Sequence, residues 1–466
     1  MNNNFKKEPF LTISRIAKKR GSKFFLVGGF IRDYLLKKPS KDIDFCFSED
    51  PIGFARDVSN VLKGAFVLLD ENCGRVVLKD ITLDFTRIEG DIERDIKRRD
   101  FTINSLAMKG PSFSEIIDLT DGISDIQKGV IKMVSKNSLI EDPLRLLRAV
   151  RFSSSLNFEI EKETIKAIKE NAYLIKNVAS ERINYELFEI LKNKKSYKFL
   201  KVAFSLGILS EVIKELIPLS QIEGRGYHHL DLLEHSFETV KQIEIIADNF
   251  LFIEYLERVR EYLNEAIASD HTRLSILKLV GLLHDLGKPE TIKEEDGRLR
   301  FIGHERLGEK YVQGIGKRLK FSHNEIQTMA RITLNHMRIG TLVQGGVITK
   351  KAVFRLFKDL GDDLIMLLIL SLADRYSAVG EATTKEDIEN HEKGIKKILD
   401  FIFSEKEPIK PPKIVNGKEL MKRFSLKESP LIGKLLFLIE EAWIEGKIKN
   451  KKDAFKVVEG YLEFRN

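Results

Sequence analysis

The chain has 466 residues, 43% of them hydrophobic, and carries 78 basic against 70 acidic side chains for a net charge of +8. That length exceeds what one ordinary core can bury, so several packed domains are expected, and the modest cationic excess favours a polyanionic partner. The only two cysteines, Cys46 and Cys73, fit no metal-ligand spacing or disulfide framework, the N-terminus has no apolar run of signal length, and the longest apolar stretch, Leu364 to Ala373, is too short to span a bilayer, so a cytoplasmic protein without a membrane partner is expected.

In chain order, KFFLVGG, DIDFCF, AFVLLD, RVVLKD and ITLDFTR read as short β-rich runs, with FIRDYLLKK helical between the first two. The head is therefore expected to be a mixed α/β domain. From about Asp142 apolar residues recur at three- and four-residue spacing in EDPLRLLRAVRF, SERINYELFEIL and YKFLKVAFSLGIL, which predicts an all-helical remainder, and Leu364 to Ala373 is predicted to be a buried helix. Turn-rich SQIEGRGYHH and the proline-containing EKEPIKPPK mark junctions. The expected division is a head over 1–141, a neck over 142–222, a His-bearing body over 223–407 and a tail over 408–466.

Gly28 and Gly29 in LVGGFIRDYLL stand between a strand and a helix, where small residues let backbone N–H groups approach a triphosphate. Alone, such a pair is more often only a tight turn. Asp42 and Asp44 in KDIDF are two apart on a predicted strand and project from one face. Their repulsion would raise a pKa unless a cation lay between them, so a hard divalent ion such as Mg²⁺ is the expected occupant. Paired metals at such a site could activate a 3′-hydroxyl and neutralise a leaving pyrophosphate.

With these residues together, LVGGFIRDYLLKKPSKDIDF resembles the signature of the class II tRNA nucleotidyltransferase and bacterial poly(A) polymerase family. The resemblance implies an α+β chain: a polymerase-β-like mixed-sheet head, then an all-α neck, an HD body and a tail. It implies triphosphate contacts for Gly28, Gly29 and Arg32, metal binding for Asp42 and Asp44, and a loop-orienting role for Asp33. Asp84 in ITLDFTR is either a third carboxylate facing the metals or the partner of Arg87 or another nearby arginine. RRDFTINSLA matches a second motif of the family, with Arg99 the expected nucleotide contact and Asn104 suited to a sugar hydroxyl.

EDPLRLLRAVRF places Asp142 and Arg145 three apart on a predicted helix, so that they would project side by side. Cytosine and adenine both present an amine donor beside a ring-nitrogen acceptor, whereas uracil and guanine present a carbonyl beside a ring N–H. An Asp–Arg pair fits only the first kind, and the wrong base leaves buried polar groups unpaired. The resemblance assigns this base-reading role to Asp142 and Arg145, with Arg148 and Arg151 continuing the row; a plain helical salt bridge is the alternative.

Between Arg87 and Arg98 lie only IEGDIERDIK, residues 88–97. Family members that add all of CCA carry a longer flexible loop there, a lever for switching from C to A, and its brevity here resembles the CC-adding branch. The expected reaction is untemplated addition of cytidine to tRNA from CTP, with full CCA addition from CTP and ATP as the alternative. CC addition implies a separate A-adding enzyme in the same cell. A poly(A) polymerase, or an RNA-binding HD phosphohydrolase with an inactive head, are the competing readings.

GYHHLDLLEHS, LLHDLGKP, FIGHERLG and LADRYSA resemble, in order, the motifs of HD phosphohydrolase domains, which implies His235, His284, Asp285 and Asp374 as metal ligands. Such a nitrogen and oxygen set suits Mn²⁺, Ni²⁺, Mg²⁺ or Fe, and His304 and His336 could support those ligands or hold a second metal. Hydrolysis of phosphomonoesters or cyclic phosphodiesters is the implied chemistry, an RNA-binding role the alternative. The stretch from Ile414 to Ile448 resembles the family's helical tail, with Lys410, Lys413, Lys418 and Lys422 candidates for tRNA phosphates.

Overall fold

The computed structural model describes residues 5, 7–88, 90–222, 231–295, 298–378, 384–403 and 411–463. They fall into two compact units, 1–214 and 215–466. Glu89, Lys410 and the GYHH segment named above lie outside the described residues.

The first unit is built on a seven-stranded sheet of order β3-β4-β5-β2-β1-β6-β7. Its strands are β1 (Phe24–Val27), β2 (Asp42–Phe47), β3 (Ala65–Asp70), β4 (Cys73–Val77), β5 (Thr82–Arg87), β6 (Leu106–Lys109) and β7 (Ile116–Asp118). Helices α1 (Phe10–Arg20), α2 (Gly29–Leu35), α3 (Pro51–Leu62) and α4 (Ile92–Lys97) belong to the same head. The two-residue period of β1, β2 and β5 sends Phe24, Phe45, Phe47 and Phe85 to one face, where they meet Phe54 of α3 and are all essentially inaccessible to water. Phe45 stacks on Phe85 at 5.4 Å and Phe24 on Phe47 at 5.2 Å. Each such ring buries a large apolar surface, and the stacking adds about 0.5–1.5 kcal/mol per pair. This aromatic slab fixes the strands, and with them the direction of everything on the other face.

The rest of the unit is helical, including Leu144–Leu156 and Ser180–Leu191, which pack on each other. The second unit is almost wholly helical. The Asp363–Ser377 helix runs through its centre, buried from Leu364 to Ala373 as its apolar sequence predicts, and packs on Leu232–Asp248, Arg273–Leu283 and His323–Asn335. The tail helices Gly417–Phe424, Pro430–Ile444 and Lys451–Glu463 close a core of their own around Leu420, Leu435, Ala454 and Val458. Lys413, Lys418 and Lys422 stand exposed on it. No helix among the described residues is long and apolar enough to cross a membrane.

Candidate active site and metal centre

Strand alternation decides where the head's carboxylates point. With Ile43, Phe45 and Phe47 committed to the slab, Asp42 and Asp44 leave β2 from the opposite face. β5 runs parallel beside β2 and sets Asp84 in register with Asp44. Burial first, then the charges of Asp84 and Asp42, push the Asp44 carboxyl up to about 6, against the pull of Arg99. Asp84 is gripped from β4: Arg75 donates from Nε to Oδ1 at 2.8 Å and from Nη2 to Oδ2 at 2.7 Å. Of the two expectations for Asp84, the arginine pairing is what the geometry displays, through Arg75 rather than Arg87. An array that drives one carboxyl toward its protonated form fits a divalent cation, which would supply the missing positive charge.

Gly28 joins β1 to α2 at φ 77°, ψ −142°, a conformation open to glycine and strained for other residues. Its own N–H is taken by the Leu106 carbonyl at 3.1 Å, so what it offers the site is the lack of a side chain. A β-carbon there would lie 3.1 Å from Arg99 Nη1 and 3.5 Å from Asp44 Oδ2. Asp95, buried, holds the same Arg99 guanidinium with contacts of 2.8 and 3.0 Å. Gly28→Ala is therefore expected to lower stability by about 1–3 kcal/mol and to displace Arg99. Thermal denaturation together with CTP binding checks this: an unchanged melting temperature with unchanged affinity would contradict it.

The glycines, Arg32, Asp42, Asp44, Arg99, Asn104, Asp142, Arg145, Arg148 and Arg151 all line one cleft of about 460 Å³ within the first unit. Asp84 is not among the residues that line it and bears on Asp44 through its charge. Asp100, Glu186 and Phe152, which sequence reasoning passed over, organise the cleft together with residues it named. Asp33 accepts from Arg32 Nε at 2.9 Å, and Arg32 Nη1 donates to Asn104 Oδ1 at 2.6 Å. Asn104 in turn donates to Asp100, whose other oxygen receives two hydrogen bonds from Arg148, at 2.8 and 3.0 Å. Burial alone would raise the Asp100 carboxyl, but Arg148 holds it below its ordinary value. Buried Glu186 binds Arg148 at 3.3 Å and Arg151 at 2.5 Å. Phe152 completes the arrangement: the guanidinium carbons of Arg32, Arg148 and Arg151 lie 5.2, 5.1 and 4.0 Å from its ring centre, within cation–π range.

One expectation needs correcting. Asp142 is not on a helix with Arg145; it is an extended residue, φ −135° and ψ 92°, after the Lys136–Glu141 helix, and the next helix begins at Leu144. The cause is Pro143, which disfavours helical backbone in the residue before it. Asp142 Oδ2 is paired with Arg182 at 2.8 Å and Oδ1 accepts from the Leu144 N–H at 3.3 Å. Arg145 Nη1 donates to the carbonyls of Arg98 and Ser138, each at 2.9 Å. Both side chains face the cleft, but each is positioned by other groups and not by the other.

In the second unit, His235, His284 and Asp374 form one potential metal group and Asp285, His304 and His336 another. His284 and Asp285 sit just past the end of the Arg273–Leu283 helix rather than within it. The Nδ1 atoms of His284, His304 and His336 face the backbone carbonyls of Gly281, Phe301 and Thr333 at 2.9, 2.6 and 2.7 Å. Donation to those carbonyls leaves each Nε2 to be filled by a proton or a metal ion. His304 Nε2 and His336 Nε2 are 3.0 Å apart, two acceptors in repulsive contact unless a cation or proton lies between them. His284 Nε2 and both Asp285 oxygens are buried without a well-formed hydrogen bond, although Lys288 Nζ approaches Oδ2 to 2.6 Å. Asp285 Oδ2 is 3.3 Å from His284 and Oδ1 3.6 Å from His304, so one carboxylate serves both groups. Burial opposes charge on His284, yet Asp285 and Asp374 carry its pKa up to about 10. A divalent ion would meet the same electrostatic demand, so the residues fit a metal.

Models of known families match in succession: the poly A polymerase head domain over 24–132, a probable RNA- and SrmB-binding site of polymerase A over 157–219, the HD domain over 232–379, and a putative tRNA nucleotidyltransferase domain 2 over 374–458. An A-adding tRNA nucleotidyltransferase of Deinococcus radiodurans is 30% identical over 447 residues, covering 94% of this chain and 95% of the relative. The chain belongs to the tRNA nucleotidyltransferase family. It is an enzyme of that family, with a nucleotidyltransferase head and an HD domain. A CC-adding tRNA nucleotidyltransferase of Thermus thermophilus is 29% identical, with 92% of each chain covered. Among solved structures, a CCA-adding enzyme in complex with CTP matches with a TM-score of 0.68 at 21% identity, covering 97% of this chain and 94% of the other. A Thermotoga maritima CCA-adding enzyme complexed with tRNA matches at 0.63 and 20%, with the same coverage. At that identity these two establish the fold of this tRNA nucleotidyltransferase and nothing finer.

Proposed function

We propose that the head adds cytidine to the 3′ end of tRNA from CTP without a nucleic-acid template and stops after two additions. The observation that carries this reading is one face bearing Asp42 and Asp44 above a cleft that also holds Asp142 and Arg145. A divalent ion bound by Asp42 and Asp44 would supply Lewis acidity. The terminal 3′-oxygen attacks the α-phosphorus of CTP, the new phosphodiester forms, and pyrophosphate leaves. Arg32 and Arg99 hold the triphosphate, Gly28 and Gly29 give it room, and Asn104 meets the ribose. Asp142 and Arg145 read the base edge, with Arg148 and Arg151 backing them. The neck, and separately Lys413, Lys418 and Lys422 of the tail, are the proposed tRNA contacts, in the four-segment division with boundaries near 142, 223 and 408. The free thiols of Cys46 and Cys73 suit the cytoplasm.

The stop after two cytidines is supported by residues 88–97. Ile88 and Ile96 are buried in one small cluster with Val27, Cys46 and Ala107. Asp91 caps α4 by accepting from the Arg94 N–H at 2.8 Å. Asp95 at its far end binds Arg98 and Arg99. A segment so short and so pinned gives little travel for changing the arrangement of Asp142 and Arg145 between C and A. A tRNA lacking CCA, incubated with CTP and ATP, is expected to gain two cytidines and no adenosine, with a separate A-adding enzyme finishing the end. Efficient A addition to a tRNA ending in CC would instead assign the specificity named for the Deinococcus relative, and long adenylate tails on unrelated RNA a poly(A) polymerase.

For the HD domain a second activity is favoured by the lone pairs and carboxylate oxygens converging on Asp285. We propose phosphoester hydrolysis there, in which water attacks phosphorus, the P–O ester bond breaks and the released alcohol takes a proton, with Mn²⁺, Ni²⁺, Mg²⁺ or Fe as the supported metal.

A further inference from the structure

Beside the HD metal group opens a cleft of about 1190 Å³, closed at one end by Asp285, His304, His336 and Asp374. Its lining is mixed in chemistry. Phe301, Ile302 and Met337 are apolar, and Ile302 is 72% and Met337 47% exposed. Arg375, Lys393 and Lys397 are cationic. Arg375 directly follows the ligand Asp374, and Lys393 and Lys397 lie one turn apart on the Lys385–Ile402 helix. That helix is tied to the ligand-bearing one by Ser371 Oγ and His391 Nε2, 2.9 Å apart.

Among the described residues these three cations have no ion-pair partner, whereas Lys396 on the same helix is paired with Glu254 at 2.7 Å and Asp400 at 3.2 Å. Asp387, an acid in the same lining, accepts from the backbone and hydroxyl of Thr384, and its charge is felt by Arg375 rather than by the two lysines. A phosphate at the metal ligands would already be neutralised there. Lys393 and Lys397, to which no carboxylate is paired among the described residues, therefore call for another anion, and the apolar part of the lining for a ring to lie against it.

We propose that this cleft binds nucleotides carrying at least two phosphates: one at the metal ligands, the next held by Arg375, Lys393 and Lys397, with a base on the Phe301 and Met337 side. The inference rests on the phosphohydrolase reading of the HD domain and adds its substrate class. Either the 3′ end of an RNA chain or a nucleoside polyphosphate supplies that chemistry.

Calorimetric titration of the full-length protein with Mn²⁺ tests it, using 3′-AMP, the 3′-phosphorylated dinucleotide ApAp and ATP against wild type and the K393A/K397A double variant. Both lysines are exposed, and nucleotide binding at the head is common to both proteins and cancels in the comparison. ApAp is expected to bind wild type about tenfold more tightly than 3′-AMP, with a steep salt dependence, and to lose that advantage in the variant while 3′-AMP is unaffected. An equal loss for ATP marks nucleoside polyphosphates as a source, and a loss confined to ApAp marks RNA ends. Unchanged binding of both two-phosphate ligands, or equal weakening of 3′-AMP, overturns the subsite. Phosphate release is measured separately: its absence in wild type would remove the hydrolase reading and leave the binding result standing.

Discussion

Asp44→Ala is expected to reduce nucleotide incorporation by at least about 10³-fold, because it removes one of two carboxylates that leave β2 together and the negative charge that a divalent ion would answer. Incorporation of labelled CTP into tRNA measures it, and an undiminished rate would defeat the head-site proposal. Asp44→Asn separates chemistry from folding. In the metal-free protein the Asp44 carboxyl titrates near 6 instead of its ordinary 3.8. Below the ordinary value both folded and unfolded chains are protonated there, and no penalty exists. As pH rises from about 4 to about 6 the unfolded chain ionises first, so stability falls; above 6 the penalty is complete. With chelator present, Asp44→Asn should therefore be more stable than wild type at neutral pH by roughly 1–3 kcal/mol, the upper figure following from the shift itself and the lower from partial exposure. At pH 4 the two should melt together, and Mg²⁺ should restore wild type alone.

His284→Ala carries the second large effect. It deletes a buried Nε2 lone pair aimed at Asp285 and Asp374, and should lower Mn²⁺- or Ni²⁺-dependent hydrolysis of a 2′,3′-cyclic nucleotide by at least about 100-fold while leaving nucleotide addition unchanged. Equal hydrolysis in variant and wild type would rule this centre out as the source. Metal content gives an independent reading. Because the two oxygens of Asp285 face different histidines, wild type should retain one more Mn²⁺ ion after gel filtration than His336→Ala.

Much of the head was legible because it depends on neighbours in sequence. A two-residue period was enough to place Asp42 and Asp44 on one face, and two glycines after an apolar strand marked the turn at Gly28. Asp142 was also readable locally, since the proline that follows it excludes the helix assigned to it. Arg75, Asp100, Glu186 and Arg182 were not readable. Their partners lie 9, 48, 35 and 40 residues away, and only the folded sheet and neck bring them together. The same distinction holds in the HD domain: ordered motifs pointed to the candidate ligands, but the sharing of Asp285 between two groups exists only in three dimensions.

The ring of Phe152 is a shared support. Three cations from two helices rest against one benzene face and edge, and two of them also share Glu186. No one of them can turn toward an entering nucleotide without changing the contacts of the others. A nucleotide that displaces one of them is therefore expected to disturb all three, and trimming that ring to leucine should loosen them at once.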